Sequence, residues 1–429
     1  MSDQVASMPH AIEANQKLFN FVDHAAIWFS LGVGLLVIQM GSFLVGGIGT
    51  KPAMVAIVGG SIIGAAILAY GAKIGQVTGQ SSANLMTATF GTGFAKLPII
   101  LNIAQLLGWT AFELVVISDG SIAIAARAMG HPIDGMIARL VFAGLWGGIL
   151  YLLLTQKMQT LARSLSAKFL MPLVIVSLIW LTYQFVSKLD GAGLIAFWNA
   201  QGDGKMSMLS AMDLVIAMPI SWLPLVADYA RFGKNAKTTQ SGTWLGYALA
   251  NIWCYGLGFL IASTGNIDAG MVGVILLAQG GLVALGIILI DELDNAYGDA
   301  YSSTVSIGSL IGQPSKAVGA LSFVVVCALA AAFLPMHNLE NFLIILSSVF
   351  LPLFGVIFGV YAAAGIGAHA RSRVIEPVFA GIWLAGIGLF YAFKTYAPDL
   401  GASLPTLALV FFGAYAATVQ RRGGVVAQV

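Results

Sequence analysis

The chain has 429 residues, of which 59% are hydrophobic and only 9% charged, where soluble domains carry about 25% charged residues. That composition excludes a soluble enzyme and defines an all-α polytopic membrane protein with the lipid bilayer as its solvent. A net charge of +2, with no basic stretch able to track phosphates, leaves no nucleic-acid partner.

Residues 1–25 read as a polar cytoplasmic tail, and Met1 to Asn20 lacks the short apolar core of a signal peptide. Apolar runs of about 20 residues then predict twelve transmembrane helices. Their expected limits are 26–48, 54–75, 97–126, 138–156, 169–187, 208–230, 242–264, 280–309, 316–335, 341–363, 374–393 and 403–420. Spans one to ten form a core over 26–363, with a five-plus-five inverted repeat at about 26–187 and 208–363. Residues 364–420 add spans eleven and twelve, and 421–429 form a second cytoplasmic tail. Segment 271–279 is too short to cross and is expected as an external helix before span eight. Fourteen of the 20 lysines and arginines fall in the loops that share a side with both termini. The positive-inside rule therefore places the termini in the cytoplasm of an inner (plasma) membrane protein.

Span one contains Gln39-Met40-Gly41-Ser42 followed by Gly46, Gly47 and Gly49, and a break is expected there. Span three aligns Asn102, Gln105, Trp109 and Glu113 on one helical face. Trp109 offers a flat surface to a planar ring, Gln105 can donate and accept, and Glu113 can pair with an amino group beside a ring nitrogen. A plain structural reading makes Glu113 a protonated glutamate bonded to another helix.

Span six holds Pro219-Ile220-Ser221-Trp222-Leu223-Pro224, and two prolines five residues apart interrupt a helix. Ser221 and Trp222 are thereby offered at the break, Trp222 as a second wall for a ring. Interrupted helices five spans apart point to an inverted repeat with its binding site at the midplane. Just beyond, Asp228 and Arg231 at i, i+3 are expected to pair. Span eight carries Asp291, Glu292, Asp294 and Asp299 within nine positions, an expensive placement that marks a substrate or ion path. Asp291, Asn295, Asp299 and Ser302 share one face of it.

Cys254 and Cys327 lie in apolar helices and read as packing residues. The histidines at 10, 24, 131, 337 and 369 are scattered, so no metal centre and no cofactor are expected.

The stretch Ala227-Asp228-Tyr229-Ala230-Arg231-Phe232-Gly233-Lys234-Asn235-Ala236, with Asp294-Asn295-Ala296, Ala278-Gln279-Gly280 and Gln105 through Gly108-Trp109, resembles cytosine permeases of the nucleobase–cation symporter-1 family. The likeness in layout spans nearly the whole chain. It implies a planar base stacked between aromatic residues of spans three and six, with polar contacts from spans three, six and eight. Trp109 would be the span-three platform, Gln105 its neighbouring amide and Asn295 the span-eight edge. Sodium or a proton would bind between spans one and eight, near Asp291 and Glu292 and the backbone carbonyls around Ile38 and Gly41. Glu113, the Pro-Ile-Ser-Trp run and Asp-Glu-Leu-Asp-Asn-Ala look more like the branch thought to carry hydroxymethylpyrimidine.

The expectation is a symporter importing a planar aminopyrimidine with Na⁺ or H⁺, using Gln105, Trp109, Glu113, Ser221, Trp222 and Asn295. Cytosine or a related base is the alternative substrate. An ion channel or antiporter, and an intramembrane acid–base enzyme, are remote alternatives, because no nucleophile accompanies the carboxylates and a bare ion needs no aromatic face. A monomer is the working expectation.

Overall fold

A computed structural model describes residues 14–133, 135–156, 170–264, 270–312, 316–333, 339–365 and 374–426. Five of the basic residues used for orientation (Lys157, Arg163, Lys168, Arg371 and Arg373), along with His10, His337 and His369, lie outside the described residues.

Seventeen helices and no strand occupy that range. In chain order they are α1 Phe21–Ser30, α2 Leu35–Ser42, α3 Thr50–Thr78, α4 Ser82–Phe90, α5 Lys96–Met129 and α6 Met136–Leu154. Next come α7 Met171–Val186, α8 Gly191–Asn199, α9 Met208–Ser221, α10 Leu223–Ala230, α11 Ala236–Thr264 and α12 Gly270–Leu277. The last five are α13 Gly281–Ile311, α14 Lys316–Phe333, α15 Leu339–Ala364, α16 Pro377–Tyr396 and α17 Ser403–Val426. Seven helices are long and apolar enough to cross a membrane alone, and three bent pairs bring that to ten. Two further helices, α13 with its four carboxylates and the 18-residue α14, complete the twelve expected. The short helix expected before span eight is α12, of eight residues.

Both broken spans are present, one in each half. Span six bends by 42° between α9 and α10. Pro219 lies in the last turn of α9 and Pro224 in the first turn of α10. The second position tolerates proline because its N–H has no helical partner anyway. Span one bends by 61°, but eight residues earlier than the sequence suggested. The break is Leu31-Gly32-Val33-Gly34, and Gln39 to Ser42 are helical. The glycines at 46, 47 and 49 instead lie in the turns leading to α3.

Two short helices were not anticipated. Ser81 caps α4 by accepting from the Asn84 N–H, after Gly79 ends α3 in the left-handed region at φ 67°. Asp190 caps α8 by accepting from the Gly193 N–H at 2.5 Å. Both are capped as sequence rules describe, yet each is only nine residues long.

Glycines weld spans one, two, six and seven together. A side chain at Gly246 would start 2.2 Å from the Ala25 carbonyl oxygen, and one at Gly258 would start 1.8 Å from that of Ile38. Gly64 meets the Pro219 ring in the same way, at 2.4 Å. Only a hydrogen fits at these crossings, which is how membrane helices gain close dispersion contact without a hydrophobic driving force. Against this bundle lie the two longest helices, α5 and α13, of 34 and 31 residues.

Candidate substrate site between the broken helices

The two breaks face each other, and α5 and α13 close the space between them. Leu31, Gly34, Leu36 and Val37 come from span one; Met218, Ser221 and Trp222 from span six; Trp109 and Glu113 from α5; Glu292, Asn295 and Asp299 from α13. They surround a narrow, nearly closed slot.

Span one is held open by α13. With no helical donor available to it, the Val33 carbonyl accepts from Asn295 Nδ2 at 2.9 Å. The Leu35 N–H, at the start of α2, donates to Glu292 Oε1. Asn295 Nδ2 also reaches Glu292 Oε2 at 3.3 Å. The backbone groups freed by the break are thus taken up by two α13 side chains, as a buried break requires.

On the other wall, Asn102 Nδ2 donates to the Pro224 carbonyl and to Ser306 Oγ, each at 3.2 Å. It ties α5 to the span-six break and to α13 at once. Trp109 is braced edge-on by Phe342, with ring centroids 5.2 Å apart, and Trp222 by Trp28 at 6.1 Å. Both tryptophans are set by packing before anything enters.

Two acceptors in the slot have no donor. Glu113 Oε2 and Asn295 Oδ1 are buried without a hydrogen-bond partner, while Ser221 spends its proton on the Met218 carbonyl at 2.7 Å. Buried acceptors cost free energy until a donor arrives, so the slot suits a flat molecule that carries N–H groups. Glu113, Glu292 and Asp299 all face this one space, and three enclosed carboxyls with no lysine, arginine or histidine in the lining need protons or a cation among them.

Of the residues chosen from sequence, Trp109, Glu113, Ser221, Trp222, Glu292 and Asn295 come together in the slot. Gln105 does not line it. Its Nε2 donates to Asn102 Oδ1 at 3.0 Å, one turn back along α5. Asp291 is turned away as well, and accepts from Ser30 Oγ at 2.7 Å. The same hydroxyl lies 3.1 Å from Asp294 Oδ2. The α13 face toward the slot is therefore 292, 295 and 299; it keeps Asn295 and Asp299 of the stripe read in the sequence and has Glu292 in place of Asp291. Ile38 and Gly41, expected to offer free carbonyls to a cation, sit inside α2 against Gly258 and Tyr255 of α11. That expectation is corrected, because the real break lies at 31–34.

Asp228 and Arg231 do not form the expected ion pair. Asp228 Oδ1 accepts from the Ser82 N–H at 3.0 Å, at the start of α4. Arg231 donates through Nε to the Asp228 backbone carbonyl and through a terminal nitrogen to the Tyr301 hydroxyl, both at 3.2 Å. Sequence reading missed Ser30 and Gly34. Gly32 and Gly34 flank Val33 and could have signalled the break, but the glycines at 41, 46, 47 and 49 are denser and give a stronger signal downstream. Among the described residues no cluster of three or more His, Cys, Asp or Glu side chains could hold a metal ion.

Two broken helices facing each other at mid-bundle, with a buried polar slot between them, define a multi-pass membrane transporter. Residues 11–277 match the family model described as permease for cytosine/purines, uracil, thiamine, allantoin, and the chain belongs to that family. The cytosine permease of Escherichia coli strain K12 is 26% identical over 343 residues, covering 73% of this chain and 74% of that one. Among solved structures, the fold is similar to Mhp1, a nucleobase-cation-symport-1 family transporter, in a closed conformation with bromovinylhydantoin bound. The TM-score is 0.80 at 15% identity, over 97% of this chain and 94% of the other. The inward-facing conformation of Mhp1 follows at 0.78 and 15%, over 99% and 96%. MhsT in complex with L-phenylalanine gives 0.63 at 16% identity, over 92% and 98%.

Proposed function

We propose that this permease is a secondary active symporter of the plasma membrane, with both termini cytoplasmic, that imports a planar aminopyrimidine. Hydroxymethylpyrimidine is the substrate we favour. The observation that carries this reading is the pairing of two tryptophans with two donorless acceptors, Glu113 Oε2 and Asn295 Oδ1, in one slot. An aminopyrimidine has flat faces for Trp109 and Trp222, and an amino group for the acceptors. A carboxyl at 113 can meet the amine and the adjacent ring nitrogen together. Cytosine is the second reading, favoured by the cytosine permease relatives, and it presents a similar amino edge.

The coupling ion is H⁺ or Na⁺, and its place in this reading is beside Asp291. Ser30 has one hydroxyl proton to share between Asp291 and Asp294, and Asp291 Oδ2 is buried without a partner. A bound cation there ties spans one and eight together. If that tie favours the substrate-competent state, each ligand raises affinity for the other by the same factor.

Uptake into proteoliposomes tests the function. Accumulation of labelled hydroxymethylpyrimidine driven by an inward proton or sodium gradient, and competed weakly by uracil and allantoin, is the expected result. Accumulation of cytosine with hydroxymethylpyrimidine inert would move the substrate to the second reading. Transport of no planar base would overturn the proposal.

A further inference from the structure

The stripe on α5 that supplies Trp109 and Glu113 continues past the slot. Phe112, Val115, Val116 and Asp119 follow at i, i+3, i+4 and i+7, one helical face, and all four line a second cavity. Leu36 is common to the slot and this cavity. Asp119 is common to this cavity and a third, wider one, which is lined by exposed Arg139 and Pro132. The three spaces thus follow one another from the slot to the end of the bundle where α5 finishes. Buried Leu36 lines both of the first two spaces, and buried Phe112 of the second stands beside Trp109 of the first.

The middle cavity repeats the chemistry of the slot. Its polar side chains are Asp119 and Gln39, the rest of its lining is apolar, and Phe112 supplies an aromatic ring. One ring, one carboxylate and one amide is the set that Trp109, Glu113 and Asn295 form in the slot, where Trp222, Glu292 and Asp299 add a second ring and two more carboxyls. The Phe112 ring centroid is 6.2 Å from that of Trp109, so the two aromatic surfaces are neighbours on one helix.

We propose that this antechamber is a second, weaker binding site for the same aminopyrimidine, with the amino group on Asp119, the ring against Phe112 and Gln39 at its edge. The base waits there on its way in and passes between Leu36 and Phe112 to the slot. Binding is weaker because this cavity is more open than the slot and desolvates its occupant less completely. This inference rests on the substrate reading above.

Calorimetric titration of hydroxymethylpyrimidine into the detergent-purified full chain tests it, alongside uptake kinetics. Two sites are expected in the unaltered protein, one tight and one weak. Trp109→Ala should abolish the tight site and keep the weak one. Asp119→Asn should do the reverse and raise the KM for uptake about tenfold, the size of one charge-assisted hydrogen bond lost. Asp119→Glu should restore the weak site. Gln39→Ala is the second variant, expected to weaken the same site without touching the tight one. A single site in the unaltered protein, with KM unchanged by Asp119→Asn and Gln39→Ala, would overturn the antechamber and leave the slot standing. No heat with hydroxymethylpyrimidine or cytosine would overturn both.

Discussion

Gly34 and Glu292 meet where span one breaks: a Cβ at position 34 would stand 3.1 Å from both carboxylate oxygens of Glu292 and 3.2 Å from Asn295 Nδ2. The backbone at Gly34 is extended, with φ 174°, so the glycine is needed for space and not for an unusual dihedral angle. It lets a carboxylate lie flat against the chain and accept from the next N–H. The break, the α13 carboxylate and the slot are one construction.

Gly34→Ala should therefore act on binding before it acts on folding. The added methyl displaces Glu292 by a few tenths of an ångström and weakens its bond from the Leu35 N–H, a loss of about 1 kcal/mol. Substrate affinity measured by scintillation proximity should fall roughly fivefold to tenfold, with the protein still monodisperse on a sizing column. Unchanged affinity would show that Glu292 and Gly34 do not share the site.

Gln105 and Glu113 sit two turns apart on α5 but should respond differently. Glu113 lines the slot, whereas Gln105 is buried behind it on Asn102. Glu113→Ala should cost about 1–3 kcal/mol of substrate binding, since it leaves the base's amino group and ring nitrogen without partners in a buried slot. Gln105→Ala should change affinity by less than about threefold while lowering thermal stability, since it leaves Asn102 Oδ1 without its donor. Equal losses of affinity in both variants would put Gln105 back in the slot.

The coupling ion should depend on the Ser30 and Asp291 pair. Asp291→Asn removes a buried carboxylate oxygen that has no partner, along with its charge. The expected result is binding of substrate with the dependence on sodium or on proton concentration lost, and with concentrative uptake abolished. Ser30→Ala should weaken the same dependence by a smaller factor. Retention of full ion dependence in Asp291→Asn would move the ion elsewhere.

Much of this architecture was legible in the sequence because membrane physics leaves few options. Apolar runs separated by polar loops had to be helices, and two prolines around Ser221 and Trp222 had to interrupt one. The α5 side of the site was equally readable, since Trp109 and Glu113 are one turn apart on a regular helix. The span-one break was harder. Glycines serve both tight packing and chain interruption, and Gly41 proved to be a packing glycine while Gly32 and Gly34 made the break. That Glu292 and not Asp291 completes the slot face of α13 was also not readable. With carboxylates at 291, 292, 294 and 299, more than one helical face is polar, and only contact with Ser30 and the span-one backbone decides which side meets the slot. Gln105 was misplaced because helical periodicity groups residues on a face without saying how far along the axis the cavity extends.

The most direct test of the slot is thermal stabilisation by hydroxymethylpyrimidine, compared in the unaltered protein and in Trp109→Ala. A ligand at a hundred times its Kd stabilises the native state by about 2.7 kcal/mol. Loss of one stacking partner weakens binding by about 1–3 kcal/mol. The predicted result is a clear rise in Tm for the unaltered protein at a ligand concentration that leaves Trp109→Ala much less shifted, with both apo proteins monodisperse. Equal stabilisation of the two proteins would contradict the account, because the base would then be binding somewhere other than against Trp109.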